Sequence, residues 1–297
     1  MADINRTTNS MALPSDISNE IMQKTQESSA IMRLAHHIAL PGRGVTIPVI
    51  TGDPTAAWVA ETAAKPVSNG TPGTKLMQAF KIAVIETFSK EFVRDIPALY
   101  DALVQRLPGA LAGVFDSTII GATQAPSATN FDTFASCTAQ SILNANNGTY
   151  LGLVAADADI AAHGGVMNGL ALGAQARALL LTATDTTNRP LFLASANDGV
   201  VDKVLGVPTY FNKNLYKAGA SSGSVPAIVG IAGDWSQAMY GTVAGVEIAV
   251  TDTATLTSGN TTNNQWQQNM IAVRAEIEVG FRADTSCFNL LTGAVPA

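Results

Sequence analysis

The run with the most familiar spacing for chemistry is Gly219-Ala220-Ser221-Ser222-Gly223. It matches G-x-S-x-G, the elbow that holds a nucleophilic serine between a strand and a helix. No helix can start here, because Gly223, Ser224, Val225 and Pro226 follow the serine. In that fold the general base also comes after the nucleophile, whereas His36, His37 and His163 all precede Ser221. The run therefore reads as a loop tip. Gly164-Gly165 has neither the dinucleotide nor the phosphate-loop spacing, and G-K-[ST] is missing throughout. Asp157 and Asp159 are expected to serve a helix start rather than an acid–base pair. The histidines lack the H-E-x-x-H spacing of a metal site. Cys137 and Cys287 are too few for a disulfide scaffold and too far apart for a zinc knuckle. They are expected to be free thiols in a reducing cytoplasm. Asn147-Gly148-Thr149 is a chance glycosylation match in a chain without a secretory leader. These residues predict no catalytic group, metal or cofactor, and so a protein that is not an enzyme.

Composition points to surfaces instead. The chain has 297 residues, of which 47% are apolar and 13% charged, with a net charge of −6. That apolar share excludes general disorder. The charged share is about half of the ~25% usual in soluble domains, which predicts a surface largely hidden against other subunits. No basic run occurs, which argues against gripping nucleic acid through its phosphates. Met1–Ser10 is polar, so no signal peptide is expected, and no apolar run reaches the ~18 residues of a membrane helix.

The elements that must present such surfaces are partly legible. Pro14, Ser15 and Asp16 predict a helix start; Ile17, Ile21, Met22, Ala30, Ile31 and Leu34 form a thin apolar stripe, ended by Pro41-Gly42 and Gly44. Such an arm has no core of its own. Next comes a long hairpin. Val45–Ile50 is an edge strand carrying Pro48, Ala56–Glu61 continues outward, and Lys75–Phe88 returns with Phe80, Ile82 and Val84 on one side. Pro66, Asn69, Gly70, Pro72 and Gly73 supply turn chemistry at its tip.

Leu99, Leu103, Leu107, Leu111, Phe115 and Ile119 recur every four residues, predicting a helix of roughly 35 Å with Asp95 as its cap. Pro108-Gly109 inside it predicts a kink or break near Gln105. Residues 122–262 are rich in Ala, Gly, Thr and Asn and read as a mixed domain, with helices at Asp157–His163 and Leu170–Thr182. The clearest strand follows. Ile271, Val273, Ala275, Ile277, Val279 and Phe281 alternate with Ala272, Arg274, Glu276, Glu278, Gly280 and Arg282. Packing the long helix on this long strand buries both stripes. Trp58, Trp235 and Trp266 are scattered and are expected to be core or interface anchors.

Six segments in order resemble the major capsid proteins of tailed bacteriophages, a fold shared with encapsulins. They are Ser28-Ser29 to Leu34-Ala35, Val45–Val49 with Ala57–Glu61, Phe88–Glu91, Leu205–Pro208, Gly233–Gln237 and Val273–Glu276. The resemblance implies an α+β fold with an N-terminal arm at 1–45 and an extended β-hairpin loop at 46–88. It further implies a peripheral domain, with a spine helix at 89–124 and a long strand at 263–297, and an axial domain at 125–262. It implies a structural shell protein forming hexamers and pentamers of an icosahedral head around double-stranded DNA, held without sequence-specific binding and without membrane contact. The virion, assembled in the host cytoplasm, is the implied location. An encapsulin-type compartment shell is the alternative.

Some relatives carry about a hundred residues of scaffolding before the arm. Here only a dozen residues occupy that place, so scaffolding, portal and any decoration proteins are expected as separate chains. The coreless arm and loop nominate Ile31, Leu34, Trp58, Val59, Glu61, Lys65 and Lys75 for contacts between subunits. Some relatives also join a loop lysine to an asparagine with help from a glutamate. Asn269 and Glu276 resemble that spacing, and Lys65 and Lys75 lie in the loop. Glu276 stands between Arg274 and Glu278, however, and an ordinary ion pair with an arginine is the expectation taken for it.

Overall fold

The computed structural model describes residues 11–12, 25, 29–42, 44–52, 56–61, 64–65, 67, 71–90, 96–143, 148–185, 187, 189–192, 203–219, 226–258 and 261–293. Among the helices bounded by described residues, in chain order, are α1 (Ala30–Leu34), α2 (Ile96–Ile119), α3 (Gly148–Ala162) and α4 (Ala174–Leu181). The strands that build the argument are β1 (Met11–Ala12), β2 (His36–Ala39), β3 (Val45–Gly52), β4 (Thr71–Met77), β5 (Phe80–Ser89), β6 (Thr138–Ser141), β7 (Gly169–Leu172), β8 (Lys203–Val204) and β9 (Val207–Phe211). They continue with β10 (Ile228–Gly233), β11 (Ala238–Thr242), β12 (Glu247–Thr251), β13 (Thr255–Ser258), β14 (Thr261–Asn264), β15 (Met270–Ala283) and β16 (Phe288–Thr292).

Two six-stranded sheets organise the molecule. The first is built on β15, which pairs antiparallel with β5 along one edge and with β12 and then β11 along the other; β1 and β2 complete it. The second runs β6-β16-β10-β7-β9-β8. Its β8–β9 hairpin turns at Leu205 (φ 52) and Gly206 (φ 80), the left-handed pair that a two-residue hairpin turn requires. The remaining pairs, β3–β4 and β13–β14, are isolated hairpins.

The four-residue spacing on α2 does what a period near 3.6 demands. Leu107 and Leu111 pack with Val273, Ala275 and Ile277 of β15, and Phe115 continues the stripe beside Val279 and Phe281. The side chains of Leu99 and Leu103, and the cap at Asp95, lie outside the described residues. The break expected near Gln105 does not occur, since the helix is continuous from Ile96 to Ile119. Proline removes one backbone hydrogen bond, and the buried leucines on either side hold the helix in place.

The chain passes from the first sheet to the second by way of α2, and two later crossings, β10 to β11 and β15 to β16, each run through an Asp-x-Ser turn. Asp234 and Asp284 each accept a hydrogen bond from the amide of the serine two residues on, at 3.1 Å. The two turns are tied to each other, because the Asp234 amide donates to the Cys287 carbonyl and the Asp284 amide to the Gln237 carbonyl, both at 3.1 Å. An aromatic cluster fills this junction, with Phe134 stacked on Phe288 at 4.4 Å and Trp235 edge-on to Phe288 at 5.2 Å.

Other sequence expectations change. His36–Ala39 is a strand paired parallel with β11, so α1 ends at Leu34 and not at Pro41. The expected start of that helix at residues 14–22 lies outside the described residues. Leu170–Leu172 is strand rather than helix, and only Ala174–Leu181 is helical. A four-residue apolar run buried on both faces carries no period to distinguish the two. α3 begins at Gly148, nine residues before the expected start, because its buried positions at Thr149, Gly152, Leu153, Ala156 and Ile160 include small residues that hydropathy reading passes over. The outgoing limb of the long hairpin is β3; Ala56–Ala60 is not strand. The return limb divides at Gln78-Ala79, where β5 leaves the hairpin and joins the first sheet.

Candidate inter-subunit surfaces

The base of the β3–β4 hairpin is pinned to the first sheet. Gly44 sits at φ +87, and a Cβ there would lie 2.3 Å from the Met77 carbonyl oxygen, so only glycine allows this approach. The Arg282 guanidinium, 7% exposed, donates to the Leu76 carbonyl at 2.8 Å, to Asp132 Oδ1 at 2.8 Å and to the Thr129 carbonyl at 2.7 Å. Lys75 Nζ donates to the Ala283 carbonyl at 3.3 Å and lies 3.9 Å from Asp132. A planar fork with several fixed donors suits such a three-point clamp.

Beyond the clamp the described hairpin side chains lie at the surface. Trp58 is fully exposed and Val67 is 89% exposed, with Val59, Glu61 and Lys65 also at the surface. Among the described residues, none from 45 to 76 joins a buried apolar cluster. A second apolar surface lies on α3. Leu153, Ala156 and Ile160 face the second sheet's core, while Tyr150, Leu151 and Val154 face outward. Large apolar side chains on the outer face of a helix, here in its first two turns ahead of the exposed Asp157, mark a surface that a partner can cover.

Ile31 corrects the sequence expectation. It is completely buried in its own chain, in the junction cluster with Phe115 and Trp235, and Leu34 packs against that same cluster. The last turn of the arm therefore does have a private core, and Ile31 cannot reach a neighbour. The expectation failed because the partners lie far along the chain, where no local pattern points to them.

The residues considered for cross-linking are dispersed within one chain. Asn269 sits just ahead of β15 at φ 53, with its carbonyl accepting from the Lys90 amide at 2.9 Å. Glu276 lies six strand residues beyond Met270, about 20 Å away. It is 7% exposed, 3.1 Å from Lys81 Nζ and 3.5 Å from Arg274 Nε. The Lys81 hydrogen bond and, after it, the Arg274 charge hold its carboxyl below the ordinary value despite burial. Lys81 had no signal of its own; it becomes visible only once β5 is registered on β15, which sets Lys81 beside Glu278 and one step from Glu276. The cysteines are both free. Burial pushes the Cys137 thiol up to about 12, and it raises Cys287 as well, so neither is a thiolate nucleophile at neutral pH. Among the described residues no group of three or more His, Cys, Asp or Glu side chains could hold a metal.

The model of the phage capsid family matches residues 9–285. The chain belongs to the phage capsid family. This is a structural family and not an enzyme class. Family relatives named "Probable major capsid protein gp17" occur in Mycobacterium phage L5, 29% identical over 295 residues, and in Mycobacterium phage D29, 27% identical over 296 residues. They cover 91% and 92% of this chain, and the alignments span 85% and 87% of the relatives. Among solved structures, a chain of Gordonia phage Cozz superimposes with a TM-score of 0.71 at 22% identity, covering 91% of this chain and 87% of that one. The capsid of a native GTA particle computed with C5 symmetry gives 0.62 at 12% identity, covering 99% and 96%. The fold is thus the mixed α and β fold of phage capsid proteins.

Proposed function

We propose that this chain is the major capsid protein of a tailed phage and that it builds an icosahedral head from hexamers and pentamers around double-stranded DNA. One observation carries the reading from family to assembly. A hairpin pinned at its base projects a fully exposed Trp58 with no core to receive it. Such an element gains stability only against another copy, and heterologous contacts between identical copies close rings. The outward face of α3, with Tyr150, Leu151 and Val154, supplies a further surface for a neighbour.

On this reading residues 1–45 are the arm, 46–88 the extended loop, 89–124 and 263–297 the peripheral domain, and 125–262 the axial domain. β11 and β12 pair into the sheet of β15, and β16 into the sheet of β10. Leu34, Trp58, Val59, Glu61, Lys65 and Lys75 remain the candidates for subunit contacts. Glu276 acts through its ion pairs and not in a cross-link. Its partners on this reading are further copies of itself, with scaffolding, portal and any decoration proteins. The assembled protein resides in the virion.

Electron microscopy of particles purified from cells that express this chain together with the other genes of its phage tests the reading. Closed shells that package phage DNA support it. Shells filled with a protein cargo assign the chain to a compartment of the encapsulin type, and soluble subunits without shells overturn it. A denaturing gel of mature particles addresses the cross-link. A single band near the subunit mass is expected, and a ladder that disappears in Glu276→Ala overturns that part.

A further inference from the structure

Asp116 lies on α2 beside Phe115 and is wholly buried. No described cation pairs with it; its partners are donors from two distant segments. Ser29 Oγ donates to Oδ1 at 2.5 Å. The Ala30 amide donates to Oδ2 at 3.3 Å, and the Asn212 side-chain amide to the same oxygen at 2.9 Å. Ser29 Oγ in turn accepts from the Met32 amide at 3.0 Å. Burial raises the Asp116 carboxyl to about 7, against the pull of Ser29 and of the Ala30 and Ile31 amides.

A buried carboxylate without a cation is a costly way to fill a core. Apolar side chains would hold α1 by area alone, as Ile31 already does. What the carboxylate adds is direction. Its two oxygens recognise the hydroxyl of Ser29 and the next amide in the chain, and they bind the turn after β9 through Asn212. A five-residue helix cannot fix its own orientation, and these contacts leave it one docking geometry. Arg33, the cation on α1, lies instead over the Tyr210 ring at 4.6 Å.

We propose that Asp116 is the positioning residue of the arm's last turn: it ties Ser29, Ala30 and Asn212 to α2, fixes the seat of α1 on the body, and makes shell closure depend on that fixed seat. The anchoring half stands on the single chain. The closure half rests on the proposed shell function.

Hydrogen exchange on the unassembled full chain separates the two halves. In Asp116→Ala, amides 30–34 are expected to exchange at least about tenfold faster, with β15 unchanged, because three hydrogen bonds to one buried carboxyl are lost together. Trypsin is then expected to cut after Arg33. Asp116→Asn is expected to keep protection, since its oxygen can accept from Ala30 and Asn212 while its amide donates to Ser29 Oγ. Wild-type protection at 30–34 in Asp116→Ala overturns the anchor. Should that variant unfold throughout, Ser29→Ala decides the matter: selective loosening at 30–34 supports the anchor, and unchanged protection overturns it. Closure is read by microscopy. Asp116→Asn is expected to form closed particles and Asp116→Ala to form few. Closed particles at wild-type yield from a loosened arm overturn the closure half alone. Wild-type chain that forms no particles overturns the shell function and leaves the exchange result standing.

Discussion

Trp235 and Trp58 sit in the two regions of this molecule that differ most. Trp235 is 3% exposed at the junction of the sheets, edge-on to Phe134 and Phe288, with its indole N–H donating to the Gly169 carbonyl at 2.9 Å. Trp58 is fully exposed on a hairpin whose ties to the body, among the described residues, are at its base. The same residue type thus does opposite work. At the junction the chain spends its apolar surface on itself. On the hairpin it keeps that surface for something outside. The end of the arm shares the hairpin's thin sequence pattern and yet belongs with the junction, because Ile31 and Asp116 tie it there.

The comparison breaks most sharply at Trp235. Trp235→Ala is expected to cost about 5 kcal/mol in urea unfolding of the unassembled subunit, through the cavity, the lost ring contacts and an unpaired Gly169 carbonyl. A cost below about 2 kcal/mol would mean that the junction is not the core of the body.

Asp116 gives the next largest effect, and its sign follows from linkage. The carboxyl titrates near 3.8 when unfolded and near 7 when folded, so the folded chain holds the proton between those values. The stability it contributes is fully present below about pH 4, falls as pH rises to about 7, and is flat beyond. The span is on the order of 4 kcal/mol. Glu276, held low by Lys81, works in the opposite sense and is lost as pH falls. The clean measurement is therefore the difference between wild type and Asp116→Asn across pH 4–8. A flat difference would mean that the Asp116 carboxyl is not held in the core of the folded chain.

Arg282→Met tests the boundary between the regions. It removes the donors to the Leu76 and Thr129 carbonyls and to Asp132, at about 3 kcal/mol. Exchange in β4 is expected to rise while β10 and β16 stay protected. Equal loosening in both sheets would show that the hairpin base and the junction are one cooperative unit.

How much of this was readable beforehand divides along the same line. β15 and α2 were legible because each repeats one period over many residues and buries one stripe. The exposed hairpin was legible too, since a Gly/Pro tip with no matching apolar face predicts no core. The junction was not. Its Asp-x-Ser turns recur as Asp234-Trp235-Ser236 and Asp284-Thr285-Ser286, a signal present in the sequence but too short to weigh alone. The partners of Ile31, Asp116 and Arg282 lie between about 80 and more than 200 residues away and leave no local trace. The strand at His36–Ala39 owes its state to parallel pairing with β11, with His37 Nε2 and Thr242 Oγ1 at 2.8 Å. Tertiary pairing of this kind overrides local propensity.

The smallest expected effect on the subunit belongs to Trp58. A side chain exposed in the folded chain loses nothing when truncated, so Trp58→Ala should change urea unfolding of the isolated subunit by less than about 0.5 kcal/mol. The same substitution should lower the yield of closed particles severely, because a lone exposed indole on a pinned hairpin fits the large aromatic anchors that dominate interfaces. Sedimentation of wild type and variant at matched concentration reads the second effect, and the urea curve reads the first. A destabilised subunit would place Trp58 inside its own chain after all. A stable variant that still forms particles at wild-type yield would leave the hairpin's exposed surface without a role in assembly, and α3, with Tyr150, Leu151 and Val154, would then be the surface that holds copies together.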